Sequence, residues 1–115
     1  MMPGVGHCYR GPGANTIGGL QQPAPTVGGP PTPASFDATH DVMSALQLWV
    51  EGGVAPERFI ATKYTSDDPA KGIAFQRPIC AFPAEAIYAG GSAPPAASTF
   101  VCRGNQIHDE WKLEQ

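Results

Sequence analysis

The sequence predicts a small, loop-rich α+β fold with one main helix, at about residues 39–51, and a few short strands. Three observations predict it. One stretch has helical periodicity, two short runs rich in aromatic and β-branched residues are separated by turn signals, and 14 glycines and 13 prolines are spread through 115 residues. That Gly and Pro content lies just under the range where low-complexity disorder becomes the default, yet a hydrophobic fraction of 42% leaves something to bury. The length allows one domain at most.

Near its start the chain carries Pro3-Gly4-Val5-Gly6-His7-Cys8. Glycine tolerates the left-handed backbone that tight loops need, so His7 is expected on a tight, backbone-exposed loop. General bases are often presented on such loops. The local pattern alone fits a surface histidine without a role better than a catalytic one. From residue 11 to 33 the glycines 11, 13, 18, 19, 28 and 29 and the prolines 12, 23, 25, 30, 31 and 33 exclude a helix or a central strand. The expectation is an irregular loop with polyproline character acting as a solvated spacer; no Pro-x-x-Pro flanked by basic residues marks it as a docking ligand.

In the helix, Val42, Ala45, Leu46, Trp49 and Val50 form one apolar stripe, while Ser44, Gln47 and Glu51 lie on other faces. Asp37 or Thr39 can cap its start, Asp41 suits the dipole there, and Gly52-Gly53 ends it. Trp49 is assigned to the core rather than to a ligand. His40 is read as an ordinary surface side chain, because a catalytic base needs a nucleophile or carboxylate against it and its neighbour Asp41 points elsewhere.

Arg58-Phe59-Ile60-Ala61-Thr62-Lys63-Tyr64 reads as a strand and residues 72–79 as a second, together a hairpin. Between them Ser66-Asp67-Asp68-Pro69 is a turn whose two carboxylates lack a third metal ligand, so it is taken as solvated. Ala86-Ile87-Tyr88-Ala89-Gly90-Gly91 is a further short extended segment with a glycine turn.

A net charge of −3 gives no basic footprint for nucleic acid. No apolar run approaches the roughly 20 residues that cross a bilayer. His7, Cys8, Cys80 and Cys102 lack the paired spacings of zinc sites, so no metal and no cofactor are expected. Met1-Met2-Pro3-Gly4 has neither a charged nor an apolar leader region, so no signal peptide is read there. Three cysteines leave one without a partner in any disulfide scheme.

Taken in order, the His7-Cys8 motif, Tyr9-Arg10-Gly11-Pro12-Gly13-Ala14, Ser35-Phe36-Asp37, the run from Leu48-Trp49-Val50-Glu51-Gly52-Gly53 to Arg58, Arg77-Pro78-Ile79-Cys80-Ala81-Phe82-Pro83 and Ser98-Thr99-Phe100-Val101-Cys102 resemble the C-terminal end of the tannase and feruloyl esterase family. These are secreted serine esterases on an α/β-hydrolase scaffold, which implies that residues 1–102 are the C-terminal segment of such a domain and 103–115 a tail. By the resemblance, His7 is the triad histidine and Cys8 the cysteine that staples it to another cysteine preceding the nucleophilic serine. Serine, partner cysteine and triad aspartate are then expected upstream of Met1. The resemblance also implies a Cys80–Cys102 disulfide, with Ala81 standing where the family usually has proline, and marks residues 17–33 as an insertion. A family member is exported, in contrast to the missing leader.

The implied function is hydrolysis of a small-molecule phenolic acid ester by a serine nucleophile and a histidine base. Two alternatives stand beside it. The chain is a non-catalytic truncated product, or a fragment that complements a separate piece and associates through its apolar helix face. Less favoured is a miniature esterase using Ser35, Ser44, Ser66, Ser92 or Ser98 with Asp37 or Asp41 orienting His7; none of these serines lies in a Gly-x-Ser-x-Gly elbow.

Overall fold

A computed structural model of the chain describes residues 4–7, 10–18, 33–91 and 96–104. It contains one helix, α1 (Val42–Gly52), and four strands, β1 (Arg58–Tyr64), β2 (Ile73–Cys80), β3 (Ala84–Tyr88) and β4 (Phe100–Gly104). The strands form two antiparallel ribbons, β1 with β2 and β3 with β4. The α+β expectation holds.

Helix α1 starts three residues later than expected, because residues 37–40 close a separate turn. The Asp37 carbonyl accepts from the N–H groups of His40 (3.2 Å) and Asp41 (2.9 Å). Asp41, rather than Asp37 or Thr39, is the N-cap, with extended backbone and a carboxylate that accepts from the Ser44 N–H (3.0 Å) and hydroxyl (2.6 Å). At the other end Gly53 adopts φ 70°, and its N–H returns to the Trp49 carbonyl (3.0 Å). That is the left-handed stop glycine provides without a Cβ penalty.

Of the predicted apolar stripe only Ala45 is buried. Trp49 is 53% exposed and Val50 76%, so the expectation of Trp49 as core is not met within these residues. At 100° per residue, Leu48, Ala45, Trp49, Val42, Leu46, Val50 and Met43 span well over half of the helix circumference. A helix with so wide an apolar arc is built for burial on more than one side. Among the described residues, it is buried at Ala45 alone.

Strand β1 is the structural beam. Ile60, Ala61, Thr62 and Tyr64 are buried on it. It pairs with β2 from Arg58↔Cys80 to Tyr64↔Ile73, with an irregularity at Lys63/Tyr64. The predicted hairpin is therefore formed, shifted by one residue in β2. The Ile60 N–H donates to the Thr39 carbonyl (2.8 Å) and the Val42 N–H to that of Ile17 (2.9 Å), which docks the helix start between β1 and the N-terminal segment.

Pro78 and Cys80 lie in β2, but Pro83 does not continue that extended frame; the chain turns at Phe82-Pro83, whose peptide is cis, into β3. Strand β4, for which the sequence offered no element, pairs with β3 from Ala84↔Gly104 to Tyr88↔Phe100. It runs to Gly104, two residues into the expected tail, and residues 105–115 lie outside the described residues. The Tyr88 and Phe100 rings pack at 5.5 Å. Cys80 and Cys102 are disulfide-bonded with Cα atoms 5.7 Å apart, joining the two ribbons. Arg77 reinforces the joint, its guanidinium 4.8 Å from the Phe75 ring and 5.1 Å from that of Phe100.

Candidate active site

His7 lies exposed on a closed loop. Two backbone bonds shut it: the Gly6 N–H donates to the Arg10 carbonyl (3.0 Å) and the Gly13 N–H to the Gly4 carbonyl (2.8 Å). The glycine expectation is met for steric reasons. Gly11 has φ +96°, and a Cβ there would fall on the Gly4 carbonyl oxygen and the Gly6 nitrogen, so residue 11 must be glycine for the two limbs to meet. Arg10, at φ 58°, shares the left-handed turn. Cys8 and Tyr9 lie outside the described residues.

The segment after this loop corrects the sequence reading. The first part of the presumed solvated spacer is among the most buried stretches of the chain: Ala14, Asn15, Thr16 and Gly18 are all buried. Thr16 and Thr62 exchange two backbone hydrogen bonds, N–H to O, at 3.0 and 2.9 Å, a single bridge that adds the segment to the edge of β1. The Thr16 hydroxyl donates to Asn15 Oδ1 (3.2 Å), and Gln76 Nε2 donates to Thr62 Oγ1 (3.1 Å). Among the described residues no buried side-chain polar atom lacks a partner. The rest of the spacer, residues 19–32, is outside the described residues.

The turn after β1 is likewise not merely solvated. Asp68 caps the 3₁₀ turn Pro69–Lys71 through the Ala70 N–H (3.0 Å). Asp67 instead turns inward, accepting from Asn15 Nδ2 (2.8 Å) and from the Lys63 ammonium, which also donates to the Gly11 carbonyl (2.6 Å). Burial pushes the Asp67 carboxyl up, but the bonds from Lys63 and Asn15 and the charges of Lys63 and Arg10 outweigh it and hold the group below the usual carboxylate range. The sequence reading took Asp67 as solvated and gave Lys63 and Asn15 no role, because no spacing marks a contact 52 residues long.

His40 departs from its expected role as a plain surface side chain. Its Nδ1 lies 3.0 Å from both carboxylate oxygens of Asp37. Asp37 also accepts from the N–H groups of Thr39 (2.8 Å) and His40 (3.0 Å). Bonds from the Ser35 hydroxyl and from His40 hold its carboxyl far below the usual range. Ser35, Asp37 and His40 are triad residue types, but here the serine hydroxyl and the imidazole Nδ1 are both bonded to the carboxylate. Both carboxylates proposed to orient His7 are thus engaged, Asp37 by His40 and Ser35, and Asp41 by the helix start and Ser44. Of the other candidate serines, Ser66 and Ser98 are exposed in 3₁₀ turns and Ser92 lies outside the described residues.

A family model described as tannase and feruloyl esterase matches residues 1–103. The chain belongs to that family. Among its relatives, an uncharacterized esterase of Xanthomonas campestris is 44% identical over 102 residues, covering 89% of this chain and 16% of the relative. A probable feruloyl esterase B-2 of Aspergillus flavus is 43% identical over 79 residues, covering 69% and 14% respectively. The fold matches that of an esterase from Aspergillus oryzae with a TM-score of 0.62 at 23% identity, over 87% of this chain and 18% of the other. The chain thus spans 14–16% of these curated relatives' length and carries one segment of a tannase and feruloyl esterase domain. No helix among the described residues is long and apolar enough to cross a membrane.

Proposed function

We propose that this chain is the segment of a secreted serine carboxylic ester hydrolase that supplies the triad histidine, His7, for cleavage of phenolic acid esters. In that reading the serine oxygen attacks the ester carbonyl carbon while His7 takes its proton; the tetrahedral intermediate then expels the alcohol, to which His7 returns the proton, and water repeats the cycle on the acyl-enzyme. Cys8 is the staple cysteine, bonded to a cysteine beside the nucleophile. Serine, aspartate and staple partner come from family sequence beyond these 115 residues. The observation that carries the reading is the closed loop itself. It presents His7 at the surface on two backbone bonds and a steric requirement for glycine, in a chain that belongs to an esterase family.

The test is to install this chain as the matching segment of the Xanthomonas esterase, 44% identical to it, and to measure hydrolysis of methyl ferulate, methyl gallate and a nitrophenyl ester. His7→Ala is expected to lower kcat by at least about a thousandfold. A variant that keeps its rate removes His7 from the chemistry. The 115 residues alone are expected to show no turnover above their His7→Ala control.

A second reading, a non-catalytic complementing segment, is favoured by one specific observation, the uncovered stripe of Met43, Leu46 and Val50 on α1. The occupant proposed for it is the remainder of the same domain, and in that reading docking precedes catalysis.

A further inference from the structure

We infer that Lys63 and Asp67 are positioning residues that clamp the His7 loop onto β1. The inference rests on the reading of His7 as the base. Three observations meet in it. The ammonium of Lys63, whose side chain is only 13% exposed, joins the Gly11 carbonyl at 2.6 Å to the Asp67 carboxylate. Asn15, fully buried, donates to the same Asp67 oxygen, Oδ1, at 2.8 Å. Ser66 and Asp67 both sit in left-handed backbone, φ 55° and 57°, a costly conformation for non-glycine residues, and this is the turn from which Asp67 reaches Lys63.

An ion pair that served stability alone has no need of a loop carbonyl 52 residues away. Gly11 is on the return limb of the loop, between the Gly6–Arg10 and Gly13–Gly4 closures, so fixing its carbonyl fixes the limb against which His7's own limb is hydrogen-bonded. The adjacent Thr16–Thr62 bridge anchors the same limb to the strand that carries Lys63. A general base must be held to a fraction of an ångström, since misplacement by about 1 Å can cost a hundredfold in rate. Lys63 supplies this as a compact charge with three donors, of which two are assigned here.

The test compares Lys63→Met, Lys63→Arg and Asp67→Asn in the 115-residue chain by amide exchange and by the His7 ring signals in NMR. In Lys63→Met, exchange at Gly6 and Gly13 is expected to rise at least tenfold and the His7 signals to shift. The Ala89 amide, bonded to Thr99 at the end of the β3–β4 ribbon at 2.8 Å, keeps its rate. Lys63→Arg brings the loop rates back toward those of the unchanged chain. Unchanged loop rates, or equal acceleration at Ala89, overturn the inference; should Lys63→Met fail to fold, the nearly isosteric Asp67→Asn gives the same readout. In the Xanthomonas chimera, Lys63→Met is expected to lower kcat ten- to a hundredfold with KM little changed. If His7→Ala abolishes activity and Lys63→Met does not lower kcat, the clamp is overturned. If His7→Ala leaves activity intact, the reading of the base fails, and the clamp then stands or falls on loop exchange alone.

Discussion

Between Gly4 and Gly18 the chain is fixed to β1 and the turn after it by directional polar contacts, including the two-bond Thr16–Thr62 backbone bridge, the Lys63 bond to the Gly11 carbonyl and the Asn15–Asp67 bond. The β3–β4 ribbon has no buried residue and is attached to the hairpin by one disulfide and the stacked Arg77. The two regions are similar in size and both far from helical, yet they solve different problems. A hydrogen bond to a buried group specifies a position, because leaving its partner unpaired costs a full desolvation penalty. A disulfide specifies attachment, acting mainly on the freedom of the unfolded chain. The His7 loop uses the first, and the β3–β4 ribbon uses the second.

The largest effect in this comparison is expected from the covalent side. Cys80 and Cys102 are 22 positions apart, and closing a loop of that length stabilises the fold by about 3 kcal/mol in the chain-entropy account. Cys80→Ser should lower the urea midpoint accordingly and release the ribbon amides to exchange while the Gly6 and Gly13 amides keep their protection. A variant that melts with the unchanged chain would show that Arg77 and the strand contacts suffice.

A smaller effect is expected where the two halves of the polar region meet. Asp41 is buried, caps α1 through Ser44, and lies where a Cβ on Gly18 would fall. Asp41→Ala should cost about 1 kcal/mol, the usual worth of an N-cap carboxylate, read as loss of helical circular dichroism in urea. A loss several times larger would mean that Asp41 also fixes the segment at Gly18.

How much of this the sequence disclosed follows the range of the forces involved. Local steric and capping rules placed α1 to within a few residues, its Gly53 stop, and the hairpin with β2 shifted by one. The resemblance gave the family and the Cys80–Cys102 pair. The burial of residues 14–16 was not legible, because the Gly and Pro content around them masks a segment whose partner, Thr62, is 46 positions away. Asp67 was read as solvated for the same reason: its turn signal is local, and its buried partner Asn15 is 52 positions away. The exposed loop placement of His7 was legible, whereas the Lys63 contacts to Gly11 and Asp67 were not. Helix burial failed in the other direction, since periodicity reports an apolar face but not what covers it.

The smallest effect is the most informative about that face. Val50 is 76% exposed and lies on the Met43–Leu46–Val50 stripe, away from Ala45. In the 115-residue chain Val50→Glu should change stability by no more than about 0.5 kcal/mol, because no packing is lost and glutamate is at least as good a helix former as valine. In the Xanthomonas chimera the same change puts a carboxylate against whatever covers the stripe, and its cost rises to that of a buried unpaired charge. Comparing the thermal midpoints of the two proteins, with and without the substitution, therefore separates an apolar face that is simply exposed from one that is half of an interface. If Val50→Glu is neutral in both, the wide apolar arc of α1 has no partner in the domain. The helix then belongs with the loosely attached ribbon rather than with the ordered polar region around His7.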